Sequence, residues 1–298
     1  MKHLITDIQR FSLNDGPGIR TTVFFKGCNM HCSWCHNPET LSFDSDLMFY
    51  PAKCIGCGKC FAACLNGAHK ILNDVHRIDR TACVKCGKCA EICYAEAIVM
   101  SGKDMTIEEI MAEVRQDKAY YDASKGGVTL SGGEVLCHTD FATELAKACH
   151  KEGISVAIET NLSFPYDRIK SLLDEADVIM ADLKLFSDDE HKKYTGVSNG
   201  EVLKNIKAIT DKPLIVRTPL IPNVTTTESN LKSIAEFLSG KENLLYYQIL
   251  NFNPLGSGKY DGLDKKNDFS NCRPFTDTQM KSFGEMIASC GICVKVGE

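Results

Sequence analysis

The chain has 298 residues, of which 44% are hydrophobic and 24% charged, and its formal net charge is −5. This composition is typical of a soluble globular protein with one large domain and room for a small second one. The acidic balance argues against nucleic acid or an anionic membrane as a partner, and no apolar run approaches the roughly 20 residues that span a bilayer. Because the N-terminus lacks the apolar core of a signal peptide, we expect a cytoplasmic protein.

The sixteen cysteines of such a chain indicate metal binding rather than disulfides. Cys28, Cys32 and Cys35 form a C-x3-C-x2-C array directly after the first predicted strand, Thr21–Phe25. Three thiolates can hold three irons of a 4Fe–4S cluster, whereas the usual protein-bound cluster has four. The fourth iron would stay open to another ligand, which is a catalytic arrangement. A zinc site is the alternative, but zinc sites usually have a regularly spaced fourth ligand nearby.

Eight further cysteines belong to an internal repeat. Residues 54–64 and 83–93 share the spacing C-x2-C-x2-C-x3-C, as in two-cluster bacterial ferredoxins, where the last cysteine of each run binds the other cluster. We therefore predict a small ferredoxin-like α+β domain, inserted at residues 51–101, that holds two 4Fe–4S clusters. The predicted ligands of the first cluster are Cys54, Cys57, Cys60 and Cys93, and those of the second are Cys83, Cys86, Cys89 and Cys64. The clusters could relay electrons or serve a structural role.

Strands and helices alternate after the insert. The further predicted strands are Val128–Ser131, Ile154–Thr160, Val178–Asp182, Leu214–Thr218 and Leu244–Phe252. The segments between them have helical apolar spacing, and such alternation implies parallel strands with helices outside. The sequence therefore predicts an α/β fold, an incomplete (β/α)6 barrel formed by residues 1–50 and 102–298.

Polar motifs follow the predicted strands, at the end where α/β barrels gather their sites. They are Ser131-Gly132-Gly133-Glu134, Glu159-Thr160-Asn161, Asp182-Leu183-Lys184, Arg217 and Asn253. We expect all of them to converge on one rim together with the three-cysteine array.

Two strings near the N-terminus carry a family resemblance. Asp15-Gly16-Pro17-Gly18 and Cys35-His36-Asn37-Pro38-Glu39 resemble the activating enzymes of glycyl radical enzymes, which are radical S-adenosylmethionine (SAM) enzymes. The resemblance runs through nearly the whole chain. It implies the incomplete barrel, a cluster on the first cysteine array, and SAM chelating the open iron. Reductive cleavage of SAM then gives a 5′-deoxyadenosyl radical that abstracts a hydrogen atom from a backbone glycine of the partner.

The resemblance also implies roles for single residues. Gly132 and Gly133 would let the backbone approach SAM without a Cβ clash, and Glu134 would face its amino group. Lys184, oriented by Asp182, would pair with the SAM carboxylate, and we expect it to be catalytic together with Cys28, Cys32 and Cys35. Glu159 and Thr160 would lie near the methionine end of SAM, where a monovalent cation can bind, and Arg217 would face SAM or the partner peptide. Asn253 would bond the ribose, Trp34 would cover the cluster, and Asp15 would contact the glycine loop of the partner.

The expected partners are a glycyl radical enzyme and an electron donor such as flavodoxin or ferredoxin, in an oxygen-poor cell, with the activating enzyme a monomer. A two-cluster insert favours a lyase, dehydratase or decarboxylase as the partner, and no residue chooses among them. Two other functions remain open. One is an electron-transfer iron–sulfur protein that does no radical chemistry, and the other is a radical SAM enzyme that acts on a small molecule.

Overall fold

The computed structural model of the chain describes residues 2–297. The strands in this range are β1 (Lys2–Ser12), β2 (Arg20–Phe25), β3 (Asp46–Phe49), β4 (His69–Leu72), β5 (Val75–Ile78), β6 (Ile98–Ser101), β7 (Lys103–Thr106), β8 (Gly127–Gly132), β9 (Ser155–Thr160), β10 (Val178–Asp182), β11 (Leu214–Pro219), β12 (Leu244–Leu250) and β13 (Val294–Gly297). The α-helices are α1 (Lys59–Ala63), α2 (Lys88–Glu91), α3 (Ile107–Val114), α4 (Lys118–Ser124), α5 (Thr139–Lys151), α6 (Tyr166–Glu175), α7 (Asp188–Thr195), α8 (Gly200–Ala208), α9 (Glu228–Leu238), α10 (Ser257–Gly262) and α11 (Asp277–Ala288).

Nine strands form one large sheet in the order β13-β12-β11-β10-β9-β8-β2-β1-β7. Neighbours from β2 through β8 to β13 are parallel, whereas β1 is antiparallel to both β2 and β7. The predicted α/β class with a mostly parallel sheet is confirmed. The six predicted strands correspond to β2 and β8 to β12, with no end displaced by more than two residues.

Three strands of this sheet, β1, β7 and β13, are not predicted by the sequence pattern. Along β1, Ile5 and Ser12 are buried while most other side chains stay partly or fully exposed, and β7 and β13 are short and also partly exposed. A strand that buries neither face continuously has neither the apolar run nor the alternation on which strand prediction depends.

The main core lies between the parallel strands and the helices. Val128, Leu130, Ile158 and Val216 of the sheet are fully buried, as expected for strands covered by helices. Cys149 of α5 is buried within this core.

Residues 46–101 have a second, smaller core. Strand β3 pairs with β6 and β4 pairs with β5, both antiparallel. Their core consists of Leu47, Phe49, Ile78, Cys89, Ala97 and Ile98. Two salt bridges link this part to the rest of the chain. Asp46 pairs with Lys26, directly after β2, and Arg80 pairs with Asp264, just after α10. Among the helices within residues 2–297, none has the length and apolar character required to span a membrane.

Candidate active site

One cavity of about 750 Å³ lies at the carboxyl ends of the parallel strands. The structure brings every residue predicted for the first cluster, for SAM or for the partner peptide to its wall. They are Asp15, Cys28, Cys32, Trp34, Cys35, Gly132, Gly133, Glu134, Glu159, Thr160, Asp182, Lys184, Arg217 and Asn253. The expected convergence on one rim follows from the parallel order of the strands, because their carboxyl ends share one edge.

The cysteine loop is held by the carboxyl end of α7. The backbone N–H of His31 donates to Thr195 O at 2.8 Å, and that of Ser33 donates to Tyr194 O at 2.9 Å. The last carbonyls of a helix have no partner within the helix, so the loop satisfies them. Cys28 is buried, whereas Cys32 and Cys35 are partly exposed toward the cavity.

The three thiols suit a cluster with an open iron. Burial raises the pKa of all three, that of Cys35 to about 12. Such thiols stay protonated unless a metal stabilises the thiolate, and iron does so. Within residues 2–297, no fourth cysteine lines the cavity. The donor set therefore fits a 4Fe–4S cluster that keeps one coordination position for a further ligand.

Glu134 is buried and held mainly by protein donors. Its carboxylate accepts hydrogen bonds from Thr160 Oγ1 at 2.6 Å, Asn161 N at 2.7 Å and Leu136 N at 3.0 Å. Burial nevertheless raises its pKa to about 7. Because a carboxylate offers about four acceptor positions, one position remains for a ligand ammonium.

The two glycines before Glu134 are required for a different reason from the one expected. A Cβ on Gly132 would lie 2.3 Å from the backbone of Phe25, and one on Gly133 would lie 2.3 Å from Gly27 O. Gly132 also has φ +114°, a conformation that favours glycine. The close approach that excludes a side chain is thus to the backbone of β2 and the loop after it. A contact of these glycines with SAM stays a prediction.

Asp182 and Lys184 form an ion pair at the end of β10, with Lys184 Nζ 2.6 Å from Asp182 Oδ2. Burial lowers the pKa of Lys184, but the negative groups beside it, first the Asp182 carboxylate, raise it by more, so the net pKa is above the ordinary value. Lys184 is therefore a permanent cation on the cavity wall, and most of its side chain is buried.

Arg217 pairs with Glu159 across the cavity floor. Ser131 Oγ donates to the other oxygen of Glu159 at 2.5 Å, so each carboxylate oxygen has a protein partner. Burial lowers the pKa of Arg217, but Glu159 and then Asp182 raise it by more. Arg217 Nε is buried and has no hydrogen-bond partner within the described residues. This donor can serve a bound ligand.

The other predicted residues also have protein contacts. Asp15 accepts a hydrogen bond from Thr22 Oγ1 at 2.7 Å. Asn253 accepts one from Leu255 N at 2.9 Å and thereby caps a short 3₁₀ helix. The Trp34 ring packs against Tyr194 and belongs to an apolar cluster beside the cysteine loop.

No role was predicted for Lys259 or Arg20. Lys259 lines the cavity, and its Nζ lies 2.5 Å from Asn37 Oδ1 and 2.7 Å from Glu39 Oε1, which ties the segment after β12 to the cysteine loop. Arg20, at the amino end of β2 and away from the cavity, is almost fully buried and donates to Thr129 Oγ1 at 2.7 Å and Val128 O at 2.6 Å. Neither residue belongs to a motif from which the site was predicted.

The repeat cysteines form two groups. A cavity of about 170 Å³ is lined by the four predicted ligands of the first insert cluster, together with Cys89. In the second group, Cys89 interacts electrostatically with Cys83, Cys64 and Cys86, and burial raises its pKa to about 11. That these cysteines bind two clusters and exchange their fourth ligands stays a prediction.

Two histidines lie beside the first group of cysteines, and the cysteine spacing does not predict their position. His69 Nδ1 lies 2.9 Å from His76 Nε2, and His76 Nδ1 lies 3.9 Å from Cys54 Sγ. Their ring nitrogens and Cys60 Sγ lie within 4.8 Å of one another.

Comparisons with known proteins define the class. A model of the Radical SAM superfamily matches residues 22–238. The chain is 37% identical to the indoleacetate decarboxylase activating enzyme of Tractidigestivibacter scatoligenes, over 98% of this chain and 96% of that protein. It is 41% identical to the (2S)-3-sulfopropanediol dehydratase activating enzyme of Klebsiella oxytoca, over 87% and 85%. A radical SAM methyltransferase from Sphaerobacter thermophilus has a similar fold, with TM-score 0.55, 13% identity, and coverage of 98% of this chain and 76% of that chain.

The chain therefore belongs to the radical SAM superfamily and, within it, to the activating enzymes of glycyl radical enzymes. It is an enzyme that generates a SAM-derived radical and thereby activates a partner enzyme. Its cofactors include a 4Fe–4S cluster and SAM.

Proposed function

We propose that Cys28, Cys32 and Cys35 hold the catalytic 4Fe–4S cluster and that SAM occupies the 750 Å³ cavity beside them. The observation that carries this proposal is the common cavity wall of the three thiols and the polar groups at the strand ends. When bound, the cluster supplies the electron that breaks the S–C5′ bond of SAM. The protein's task is then to bind and orient SAM and the glycine that loses its hydrogen atom.

The charged groups of the cavity suit the ends of SAM. Lys184, held by Asp182, pairs with the SAM carboxylate, and the remaining acceptor position of Glu134 takes the ammonium. Asn253 bonds the ribose, and Gly132, Gly133 and Trp34 line the pocket. Together these contacts fix the sulfonium next to the open iron.

A protein cation already faces Glu159, where the resemblance implies a bound monovalent cation. The two carboxylate oxygens of Glu159 interact with the Arg217 guanidinium and the Ser131 hydroxyl, and Thr160 Oγ1 donates to Glu134. We therefore propose that Arg217 is the resident cation at the methionine end, with its free Nε directed to SAM or the partner peptide.

The proposed partner is a glycyl radical decarboxylase, dehydratase or lyase. Its glycine-bearing loop enters the cavity beside Asp15, because the radical must form next to the glycine it attacks. The names of the similar activating enzymes include a decarboxylase and a dehydratase, which supports these reaction types for the partner without selecting one substrate.

Residues 51–101 are proposed as a ferredoxin-like domain with two 4Fe–4S clusters, inserted into an incomplete barrel of residues 1–50 and 102–298. The separate small core and the two groups of four cysteines support this division. The clusters would pass electrons from flavodoxin or ferredoxin to the SAM-bound cluster, and the active form would be a monomer.

The first experiment measures 5′-deoxyadenosine formed from SAM and dithionite by the anaerobically reconstituted protein. Wild type should produce it, and Cys28→Ala, Cys32→Ala and Cys35→Ala should each abolish production. Cys293→Ala is the matched control, since this cysteine is exposed and outside the cavity. Turnover retained in any of the three variants would overturn the cluster assignment. Redox-active clusters without SAM cleavage would favour an electron carrier.

A further inference from the structure

His69 and His76 face each other across the β4–β5 hairpin and lie beside one group of repeat cysteines. His69 is 5% exposed, and the ring of Phe61 packs against both imidazoles, with centroids 5.6 and 4.9 Å away. Phe49 packs on His76 from another side at 4.4 Å. The two rings are therefore fixed in position, with one nitrogen of His76 toward Cys54.

We propose that His76 donates an N–H···S hydrogen bond to Cys54, that His69 orients and polarises this donor, and that this bond raises the reduction potential of the cluster that Cys54 holds. The inference rests on the proposed function in one respect, namely that the repeat cysteines hold two clusters.

The donor role follows from the chemistry of the sulfur. A thiolate that ligates iron has no proton, so it can only accept a hydrogen bond. His76 Nδ1, 3.9 Å from Cys54 Sγ, must then carry the hydrogen. Its other nitrogen lies 2.9 Å from His69 Nδ1, which is a full hydrogen bond and holds the ring in this orientation. A continuous chain thus runs from His69 through His76 to Cys54.

A hydrogen bond to a cluster sulfur stabilises the more negative, reduced form and raises the reduction potential. The histidine pair is found on one side of the internal repeat only. The position 29 residues after His69 is the buried Ile98, and the position 29 residues after His76 is Met105, on β7 of the large sheet. In the described part of the chain, no group of histidines and cysteines like this one lies beside Cys64, Cys83, Cys86 and Cys89. In that second group the backbone N–H of Ala68 donates to Cys64 Sγ at 3.3 Å. Loss of the histidine bond should therefore lower the reduction potential of the Cys54 cluster alone.

The test uses the full chain with Cys28, Cys32 and Cys35 all changed to Ala, so that signals come from the insert clusters alone. Anaerobic redox titrations at one fixed pH are followed by electron paramagnetic resonance. The parent should show two potentials. His76→Leu should make reduction of one of the two clusters about tenfold less favourable at a given ambient potential, which is about 59 mV for one electron, and leave the other unchanged. His69→Leu should shift the same cluster in the same direction by less.

Two variants separate hydrogen bonding from packing. Phe61→Leu changes the packing on both rings and the lining of the cluster cavity but keeps both donors, so it should shift the potential by less than His76→Leu does. His76→Gln retains an N–H donor and should restore part of the shift. Unchanged potentials in both His76→Leu and His69→Leu would overturn the inference, as would a Phe61→Leu shift equal to that of His76→Leu. If His76→Leu loses iron, the reduction potentials of His69→Leu and His76→Gln test the inference instead.

Iron analysis separates this failure from failure of the proposed function. The parent should bind about eight irons if two 4Fe–4S clusters are present. About four irons, or none, would contradict the two-cluster insert itself.

Discussion

The Lys184 ammonium and the Asp182 carboxylate form a 2.6 Å ion pair on the wall of the active-site cavity. The two residues are separated by one position in an extended segment, so their side chains leave the backbone on the same side. Leu183, between them, is fully buried on the other side. The sequence Asp-Leu-Lys thus anchors the segment in the core while it presents a fixed cation to the cavity.

This geometry predicts that Lys184→Met weakens SAM binding at least tenfold, since a hydrogen bond to a charged group contributes about 1.5–3 kcal/mol. Asp182→Asn should weaken binding by less, because the cation remains but loses its orienting partner. The measurement is equilibrium binding of SAM to the reconstituted enzyme. Lys192→Met is the control, since Lys192 forms an exposed pair with Asp188 on α7. An affinity equal to that of the control would refute the assignment.

The packing of Gly133 predicts a stability effect. In Gly133→Ala the new Cβ would meet Gly27 O at 2.3 Å, so β8 and the loop after β2 must separate. We expect a loss of about 1–3 kcal/mol, seen as a lower midpoint of thermal unfolding. Gly258→Ala is the control, because a Cβ there meets nothing within 4 Å. Equal midpoints for the two variants would contradict this interpretation.

The sequence could predict the parts of the fold in which one physical signal dominates. Strands such as Leu214–Pro219 are buried on both faces, so they appear as apolar runs between helical segments. Strand β1 has no such signal, because its position depends on antiparallel pairing with β2 and β7, a long-range contact. The same holds for β13, which adds to the edge of the sheet beside β12.

Prediction of the site was limited in a similar way. Motif order predicted that Glu159 and Arg217 would lie at one rim, but it could not predict that they bind each other. That pairing depends on the register between neighbouring strands, in which Arg217 lies opposite Asp182 and Met180 opposite Glu159. The role of Gly133 was likewise hidden, since its clash partner is backbone more than 100 residues away in sequence.

His191 predicts a pH effect on stability. This residue is fully buried in α7, Nδ1 lies 2.7 Å from Val197 O, and Nε2 has no hydrogen-bond partner in the described residues. Burial lowers its pKa below the ordinary value of 6.5. The unfolded chain therefore takes up a proton more readily than the folded one, so this contribution to stability is complete above pH 6.5 and is lost as pH falls below it.

His191→Asn keeps a donor near the position of Nδ1 but cannot be protonated. We expect the unfolding midpoint of this variant to fall less than that of wild type between pH 7.5 and about pH 6. The comparison is made by urea unfolding under anaerobic conditions, with the cluster absorbance recorded in parallel. The same pH dependence in both proteins would exclude His191 as the titrating group.

The ion pair between Lys26 and Asp46 connects the small core to the large sheet, and its burial predicts a loss of stability when the pair is broken. Lys26 is fully buried at the end of β2, and its Nζ lies 2.9 Å from Asp46 Oδ2 on β3, while Lys85 binds the other oxygen at 2.7 Å. Burial lowers the pKa of Lys26, and Asp46 opposes that effect. Replacing the carboxylate by an amide would leave the buried ammonium with only uncharged oxygens as partners, and such losses cost about 3–5 kcal/mol.

Asp46→Asn should therefore lower the midpoint of thermal unfolding by several degrees, whereas Asp188→Asn, which breaks an exposed pair, should change it little. The double variant Lys26→Met with Asp46→Asn should recover much of the loss, because it removes the unpaired charge and keeps an apolar side chain of similar length. If the double variant is no more stable than Asp46→Asn, the cost arises from the lost link to Lys85 and not from the buried ammonium.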